Sequence, residues 1–347
     1  MKNITKLLGL LLLFSAFAMT VSAPVQAKKD FTVSTSSKPY KNKYVKNPVY
    51  NKYTKHYLTL RSYLDEMSKK GGGTLTIKKG TYNISNALLV PSNVKIVLQD
   101  GVVMNKIGNS HTKKLKAGHV MFECVRSSRI NKKGVVGKYN GEKNIQIIGE
   151  GTVIMNLSGC NKSEAIRVPH CKNVLIDNIT FTNLRDGHFI EVTASKDVTV
   201  QNCTFKNNLS GERCAINLDT PDKVTNGFNG KYSKFDKTPV LNVTIQNCGF
   251  YNLHRGIDTH RFSPNKYHTN VQILGCTFKD SVQSPIMMLN WKNAVIKGNT
   301  IDTVKGWSTN NIQKEKFAIY MRGGVIDPII SENRMNGVYM PFYAKGH

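Results

Sequence analysis

A nine-residue pattern of the form Asn-Val-x-Ile-x-Asn-Cys-x-Phe recurs along the middle and later part of the chain. Its clear copies occupy residues 173–181, 197–205, 242–250, 270–278 and 293–301. Apolar residues alternate with polar ones, and a short polar break precedes the final aromatic residue. This alternation predicts a half-buried β-strand, a turn, and the start of a second strand.

The intervals between the copies indicate how the strands stack. The copies start at residues 173, 197, 242, 270 and 293, so they lie 24, 45, 28 and 23 residues apart. Repeats of this length form turns of a solenoid, and a longer interval holds a loop that bulges from one corner. Stacking predicts a buried column of Cys203, Cys248 and Cys276. We therefore expect an all-β fold, a single-stranded right-handed parallel β-helix.

The segment before the repeats has a different pattern. Leu58, Leu60, Leu64 and Met67 recur at roughly helical spacing, and a run of three glycines ends the pattern. A short N-terminal helix is expected to cap the open end of the solenoid, which otherwise exposes apolar side chains and unpaired backbone. Residues 28–56 are rich in Lys, Tyr and Asn and are interpreted as a basic flexible arm, and the β-helix domain is expected over residues 57–347.

Residues 1–27 have the features of a secretory signal peptide. A basic start with Lys2 and Lys6 precedes an apolar run, and small residues stand at the expected cleavage point after Ala27. No second apolar run reaches the length of a membrane span. We therefore expect a secreted, extracellular monomer that is either released or associated with the cell wall.

The charge of the chain indicates the class of partner. The formal net charge is +27 at pH 7, and loss of Lys2 and Lys6 with the signal peptide leaves +25. Such a surface attracts polyanions through a long-range field that salt screens. An acidic polysaccharide or a Gram-positive wall polymer is the expected partner. Nucleic acid is disfavoured because the basic residues are dispersed and no aromatic stacking platform is evident.

A second strand in each repeat carries the candidate chemistry. These strands align on isoleucines that we expect to be buried, namely Ile166, Ile190, Ile216, Ile257, Ile286 and Ile319. Because side chains alternate, residues one and three places later should face outward. The first outward column reads Arg167, Glu191, Asn217, Asp258, Met287 and Tyr320. The second reads Pro169, Thr193, Asp219, His260, Leu289 and Arg322.

Three acids and a histidine fall on this one face. Rungs about 4.8 Å apart place Glu191, Asp219 and Asp258 roughly 8 Å from one another along the stack. Carboxyl groups at such separations suit a general acid and a water-activating base in an inverting glycosidase. The catalytic candidates are therefore Asp219, Asp258, Glu191 and His260.

Neighbouring polar residues are the candidates for substrate binding. Strict alternation turns His188 inward, so it reaches the face only if it lies in the bend. The same three acids could instead hold calcium, or form a structural ion-pair network with nearby arginines. No other cofactor is expected, because seven cysteines without a Cys-x-x-Cys pair indicate neither a zinc nor a redox site. The substrate-binding candidates are Arg255, Arg322, His188, Asn217, Arg261 and Tyr320.

The sequence resembles the pectate-lyase-like superfamily of parallel β-helix proteins, which includes polysaccharide lyases and polygalacturonase-type glycoside hydrolases. Residues 71–82 are similar to the glycine-rich opening of those enzymes, with Lys78 and Lys79 where proline is usual. The segments 188–191, 215–219 and 255–260 resemble β-helix proteins of Gram-positive bacteria. The resemblance implies the fold and a carbohydrate ligand. However, 217–219 only approximates Asn-Thr-Asp, and the Asp-Asp, Gly-His-Gly and Arg-Ile-Lys motifs are absent.

Three functions follow from these features. A glycoside hydrolase acting on an acidic glycan is favoured, with Asp219 as general acid, Asp258 or Glu191 activating water, and His260 orienting a carboxylate. A polysaccharide lyase would use Arg255 or His260 as the base beside a uronate carboxyl group. A non-catalytic protein that binds wall polymer or another polyanion is the third possibility, since fold alone does not determine function.

Overall fold

Three parallel sheets form the walls of a right-handed β-helix in the computed structural model, which describes residues 29–46, 48–260, 263–305 and 317–345. The signal peptide expected over residues 1–27 lies outside the described residues. Each rung contributes one strand to each sheet, and every inter-strand ladder is parallel. The expected fold class is confirmed.

The strands are numbered in chain order. Sheet A contains β1 (Phe31–Val33), β2 (Gly73–Ile77), β5 (Val94–Leu98), β8 (Lys143–Gly149), β11 (Lys172–Asp177), β14 (Lys196–Gln201), β17 (Leu241–Gln246), β20 (His268–Leu274), β23 (Trp291–Lys292), β24 (Val295–Lys297) and β27 (Ile329–Ser331). Sheet B contains β3 (Gly80–Ile84), β6 (Val102–Ile107), β9 (Val153–Gly159), β12 (Thr180–Arg185), β15 (Thr204–Ser210), β18 (Gly249–Tyr251), β21 (Thr277–Ser281), β25 (Thr300–Val304) and β28 (Arg334–Asn336). Sheet C contains β4 (Leu88–Leu89), β7 (Val120–Glu123), β10 (Glu164–Pro169), β13 (His188–Thr193), β16 (Cys214–Asp219), β19 (Arg255–Asp258), β22 (Ile286–Leu289), β26 (Phe317–Arg322) and β29 (Met340–Lys345).

The interior consists of columns of identical or similar side chains. The repeat pattern spans a sheet A strand, a turn, and the first residues of the next sheet B strand. Its final aromatic residues stack face to face, with ring centroids 4.9, 4.9 and 4.6 Å apart along Phe181, Phe205, Phe250 and Phe278. Cys203, Cys248 and Cys276 are buried free thiols, as expected.

Asparagine occupies the turns because its backbone tolerates left-handed angles. Asn173 has φ 54° and Asn178 has φ 53°, and the equivalent Asn202 and Asn247 have φ 53° and 52°. A non-glycine residue other than Asn or Asp rarely adopts this conformation. The bend from sheet A to sheet B is therefore set by Asn178, Asn202 and Asn247, and by Gly275 and Gly298 in the later copies, with φ 60° and 65°.

The N-terminal end is closed by a helix, as expected. α2 (Lys55–Lys70) packs against β2, β3 and β4, and it buries Leu60, Leu64 and Met67. Gly71 ends the helix in the left-handed conformation with φ 81°, and its N–H bonds the carbonyl of Met67. Among the described residues, the two other helices are the single turns α1 (Asn42–Val45) and α3 (Ser127–Ile130).

The prediction that residues 28–56 form a flexible arm is wrong for the described part of that segment. β1 pairs in parallel with β2 and extends sheet A by one strand. Val33 is fully buried, and the ring of Phe31 lies 5.2 Å from Tyr63 of the capping helix. A short edge strand of three residues gives too little periodicity to stand out among the surrounding lysines and tyrosines.

The long interval between the second and third copies forms a roof over sheet C. Residues 220–240, between β16 and β17, pack against residues 125–136 around a small apolar cluster that includes Phe228 and Tyr232. Ser233 bridges to Val136, and its hydroxyl bonds Nε2 of the buried His170 at 2.8 Å. The loop is therefore anchored and encloses one stretch of the sheet C surface.

The phenylalanine stack predicts a large loss of stability on truncation. Phe205→Ala should lower the free energy of unfolding by about 3–5 kcal/mol, because it removes a buried ring and leaves a cavity between Phe181 and Phe250. Urea unfolding followed by circular dichroism measures this loss. Lys206→Ala, the next residue on the same strand but facing outward, should change it by less than about 0.5 kcal/mol. Equal effects of the two substitutions would contradict the stacked core.

Candidate active site

The outward column of sheet C has the register that the sequence predicts. Ile166, Ile190, Ile216, Ile257, Ile286 and Ile319 are paired in order along the ladder and are fully buried. Arg167 consequently pairs with Glu191, Glu191 with Asn217, and Asn217 with Asp258. In the second column Thr193 pairs with Asp219. The same face therefore carries the candidate residues of successive rungs.

His188 reaches this face because alternation breaks at the start of the strand. Phe189 and Ile190 are both fully buried, and the Phe189 ring lies 5.9 Å from both Phe181 and Phe205 in the core. Two consecutive inward residues leave His188, the first residue of the strand, on the outer side. Glu164, which pairs with His188 in the preceding rung, is placed on the outer side in the same way.

A single guanidinium group organises the upper part of the site. Arg167 donates two hydrogen bonds of 2.6 Å to the two carboxylate oxygens of Glu164. It also lies 3.5 Å from Glu191 and 3.6 Å from Glu123, whose carboxylate accepts a 2.7 Å hydrogen bond from Tyr232 of the roof. Three carboxyl groups thus surround one cation, an arrangement in which they cannot all be ionised without strong repulsion.

The protonation states of these acids diverge. Burial raises the pKa of Glu164, but the charge of Arg167 and its hydrogen bonds outweigh burial, so the net pKa is lowered. Burial and the neighbouring Glu164 charge raise the pKa of Glu191 well above its usual range. The protonated Glu191 is hydrogen-bonded to Glu164. Within this pair a proton therefore favours Glu191, and the negative charge favours Glu164.

The pKa of a second carboxyl group in the site is also raised. Asp219 is almost fully buried, and this burial raises its pKa, while hydrogen bonding to His260 opposes the rise. His260 Nδ1 lies 3.7 Å from Asp219 Oδ2. The amide oxygen of Asn217 accepts a 3.0 Å hydrogen bond from the His260 backbone N–H, which holds the histidine beside the acid. Asp219, Asn217 and His260 therefore act as one positioned group.

His188 presents an unprotonated nitrogen to the site. Its Nδ1 lies 2.9 Å from the carbonyl oxygen of Cys214 and must donate to it, because a carbonyl oxygen only accepts. Burial lowers the pKa of His188 to about 4. At neutral pH the ring is therefore neutral, with the Nε2 lone pair available to a ligand.

These groups line one cleft with a volume of about 510 Å³. Glu164, Arg167, Glu191 and Asp219 stand on its floor with Asn217, His188 and His260. The roof residues Asn226, Phe228 and Asn229 form one side, and Arg167 lies 5.4 Å from the centre of the Phe228 ring. The opposite rim holds His119, Lys162, Asp186 and Arg213 from the turns between sheets B and C.

The cleft does not include every predicted residue. Asp258 does not line it, because its carboxylate is turned to Arg255 at 3.2 Å, and burial raises its pKa against the opposing charge of Arg255. Arg255 also donates to the carbonyl of Glu212. Asp258 and Arg255 therefore form an ion pair beside the cleft and do not line it with Asp219.

Two further predicted binding residues lie beyond the cleft, next to Asp258. Arg322 is exposed and stacks 5.9 Å from the Tyr320 ring, and its charge contributes to the field at Asp258. Tyr320 in turn contacts the rings of Phe317 and Tyr343. Neither residue lines the cleft. Arg261 lies outside the described residues.

Glu191, Asp219 and Asp258, the acids considered for calcium, do not meet at one point of the structure. Among the described residues, no group of three or more His, Cys, Asp or Glu side chains is arranged to hold a metal ion. The acids are separated by their individual partners, with Arg167 beside Glu191, His260 beside Asp219 and Arg255 beside Asp258.

Comparison with known proteins agrees with this architecture. Residues 121–302, more than half of the chain, match the family described as "Right handed beta helix region". The chain belongs to this β-helix family. The matched span runs from β7 to β25 and contains every strand that supplies the floor of the cleft.

One curated relative shares sequence with this β-helix protein. It is the plasmin and fibronectin-binding protein A of Streptococcus pneumoniae, 26% identical over 267 residues that cover 69% of this chain and 36% of the relative. The chain thus spans about a third of the length of that protein.

Solved structures show the same fold. The crystal structure of PfbA, a surface adhesin of Streptococcus pneumoniae, aligns with a TM-score of 0.62 at 18% identity and covers 83% of this chain and 70% of that one. The iota-carrageenase of family GH82 from A. fortis aligns with a TM-score of 0.53 at 14% identity and covers 86% and 59% of the two chains. At these identities the likeness concerns the fold. No helix among the described residues is long and apolar enough to cross a membrane.

Sequence reasoning missed several residues of the cleft in this β-helix protein. Glu164 was not selected. Neither was Glu123, which contacts Arg167 without lining the cleft, although it directly precedes Arg167 in the outward column. Glu164 could have been found from the sequence, because it lies two residues before the buried Ile166, as the candidate His188 lies two residues before Ile190. No periodic signal marked Phe228 or Asn229, because they belong to the irregular roof.

The protonated state of Glu191 predicts a pH-dependent stability difference. Folded Glu191 keeps its proton above pH ~4.3, where a glutamate in the unfolded chain loses it. The folded protein then binds more protons than the unfolded chain, so this carboxyl group lowers stability as pH rises through that window. Glu191→Gln removes the effect and should become progressively more stable than the wild type above about pH 4.

Urea unfolding at several pH values between 4 and 8 measures this difference. A difference that does not change with pH would show that Glu191 ionises normally in the folded protein. Asp177→Asn, an acid on the outer face of sheet A, serves as a control for the general effect of removing one carboxylate.

Proposed function

We propose that this protein is an extracellular glycoside hydrolase that binds an anionic polysaccharide in the cleft of sheet C. The observation that carries the proposal is the coexistence, in one cleft, of carboxyl groups biased toward opposite protonation states. Hydrolysis of a glycosidic bond requires one protonated carboxyl group and one carboxylate. Asp219 and Glu191 favour protonation, and Glu164 stays ionised beside Arg167.

The proposal gives each of these residues a role. Asp219 donates its proton to the glycosidic oxygen as the carbon–oxygen bond breaks, and His260 then stabilises the resulting carboxylate at 3.7 Å. Glu164 accepts a proton from a water molecule as the water oxygen bonds to the anomeric carbon. Glu191 keeps its proton and donates a hydrogen bond to Glu164. The neutral His188 accepts a hydrogen bond from a sugar hydroxyl at Nε2. This assignment replaces Asp258 as the base.

Two observations support an anionic polymer outside the cell as the substrate. The net charge of +27 favours polyanions, and Lys162 and Arg213 stand on the rim of the cleft. The related plasmin and fibronectin-binding protein A and the PfbA adhesin place β-helix proteins at a bacterial surface. A secreted protein that acts on wall polymer or another acidic glycan agrees with both.

A non-catalytic binding protein is the second candidate. The favouring observation is that the relative with detectable sequence similarity is named for binding and not for catalysis. The engagement of both Glu164 oxygens by Arg167 is also compatible with a structural ion-pair network. A lyase is less compatible. Of its two candidate bases, Arg255 lies outside the cleft in an ion pair with Asp258, and His260 lies in the cleft beside Asp219.

A screen of polyuronates, glycosaminoglycans and purified Gram-positive wall polymers tests the proposal, with products detected by mass spectrometry. Asp219→Asn and Glu164→Gln should each reduce cleavage by at least about 100-fold, because each removes a proton-transfer group. Asp258→Asn, an acid of the same sheet outside the cleft, should retain activity within about twofold. Circular dichroism confirms that each variant is folded.

The outcomes separate the candidate functions. Reducing ends without ultraviolet absorbance of an unsaturated uronate support hydrolysis, whereas that absorbance identifies a lyase. Binding of a polymer without products, unchanged by both cleft substitutions, would overturn the enzymatic assignment and support the binding protein.

A further inference from the structure

A tyrosine lies flat on the outer face of sheet B, away from the cleft. Tyr251 is 38% exposed, and its ring covers Gly249, two residues earlier on the same strand. A Cβ atom at Gly249 would stand 2.4 Å from Cε2 of the ring and 2.8 Å from its hydroxyl oxygen. The ring can hold this position only because residue 249 has no side chain.

The neighbouring rungs show that this glycine is a local exception. The ladder places Gly249 in one column with Thr180, Thr204, Thr277 and Thr300. Threonine suits a strand better than glycine does, so the column loses strand propensity at this one rung. Glycine in place of threonine leaves room for a flat, exposed aromatic ring. Such a ring also shields the glycine backbone.

Two lysines flank the ring along the solenoid axis. Tyr251 pairs with Lys206 on one side and Lys279 on the other, so the three side chains stand about 4.8 Å apart in one line. Both lysines are exposed, and neither forms an ion pair with any described residue. Lys279 is followed in the column by Asp302, yet the two are not paired within 4.0 Å.

We propose that Tyr251, Lys206 and Lys279 form a binding surface for a linear anionic polysaccharide that runs along the solenoid axis. The C–H groups of a sugar ring pack on the exposed aromatic face, and the ammonium groups on either side contact carboxylate or sulfate groups of adjacent sugars. The surface lies on sheet B and the cleft on sheet C, so this inference does not depend on the proposed hydrolysis. The Tyr251 surface would bind polymer on sheet B, and the same rungs form the cleft on sheet C.

The composition of the surface favours a glycan over a single-stranded nucleic acid. Nucleic-acid surfaces stack several successive bases on several aromatic side chains. Here one ring alternates with lysines and threonines, which suits a chain of polar rings that carry charge at intervals. The net positive charge of the protein adds long-range attraction for either kind of polyanion, so binding must be tested with both.

The experiment measures the dissociation constant of the full-length protein for sodium polygalacturonate at several salt concentrations. Dextran sulfate separates sulfate from carboxylate recognition, and neutral dextran and an oligothymidylate serve as comparison ligands. Tyr251→Ala and Gly249→Thr should each weaken binding to an acidic glycan by about tenfold, a loss typical of one stacked ring. The double variant Lys206→Ala/Lys279→Ala should weaken binding and flatten its salt dependence.

Gly249→Thr is the sharper variant, because it keeps every charge and the tyrosine while displacing the ring. Lys292→Ala, an exposed lysine of sheet A, is the charge-matched control and should bind as the wild type does. The thermal unfolding temperature of Tyr251→Ala shows whether the ring stabilises the fold by shielding the Gly249 backbone.

Wild-type affinity in both Tyr251→Ala and Gly249→Thr would overturn the proposal, as would equal losses in Lys292→Ala and the flanking lysine variants. Tighter binding of oligothymidylate with the same dependence on Tyr251 would replace the glycan by nucleic acid. Hydrolysis of short oligosaccharides should be unchanged in all of these variants, which separates failure of this surface from failure of the cleft.

Discussion

Parallel, in-register pairing of the rungs forces residues at equivalent positions into columns about 4.8 Å apart. In the interior this constraint is favourable, because identical rings stack and identical thiols pack, as along Phe205, Phe250 and Phe278. On the outer face it is hazardous, because like charges in adjacent rungs repel one another. The chemistry of sheet C follows from the way in which this protein reduces that repulsion.

Opposite charge and proton uptake both relieve the repulsion. Arg167 is inserted in the column between Glu123 and Glu191, so no two ionised acids are direct neighbours at that point. Glu164 accepts two hydrogen bonds from the guanidinium group of Arg167. The pKa of Glu191 is raised, because burial and the charge of Glu164 disfavour its ionised form. The separation of protonation states that suits acid–base catalysis is therefore a consequence of stacking acids in a solenoid.

The alternation of side chains explains which parts could be predicted from the sequence. Period-two patterning predicted the isoleucine column and hence the placement of Glu191, Asn217 and Asp219 on one face. It failed at Glu164, where the bend places two consecutive residues inward and turns the preceding residue outward. It also could not distinguish Asp219 from Asp258, because both are outward acids and their difference lies in partner choice, His260 in one case and Arg255 in the other. The sequence of the roof has no periodic pattern, so the positions of Phe228 and Tyr232 could not be predicted from alternation.

The positive surface and the acidic cleft have to be considered together. A polyanion drawn by a net charge of +27 would be repelled from a floor of three ionised acids, Glu164, Glu191 and Asp219. Arg167 offsets one of these charges, and the raised pKa values of Glu191 and Asp219 reduce the number that are ionised. The negative charge of the floor is thereby reduced beneath a rim that carries Lys162 and Arg213. A negatively charged chain can therefore lie across the rim and still present an uncharged bond to the acids below.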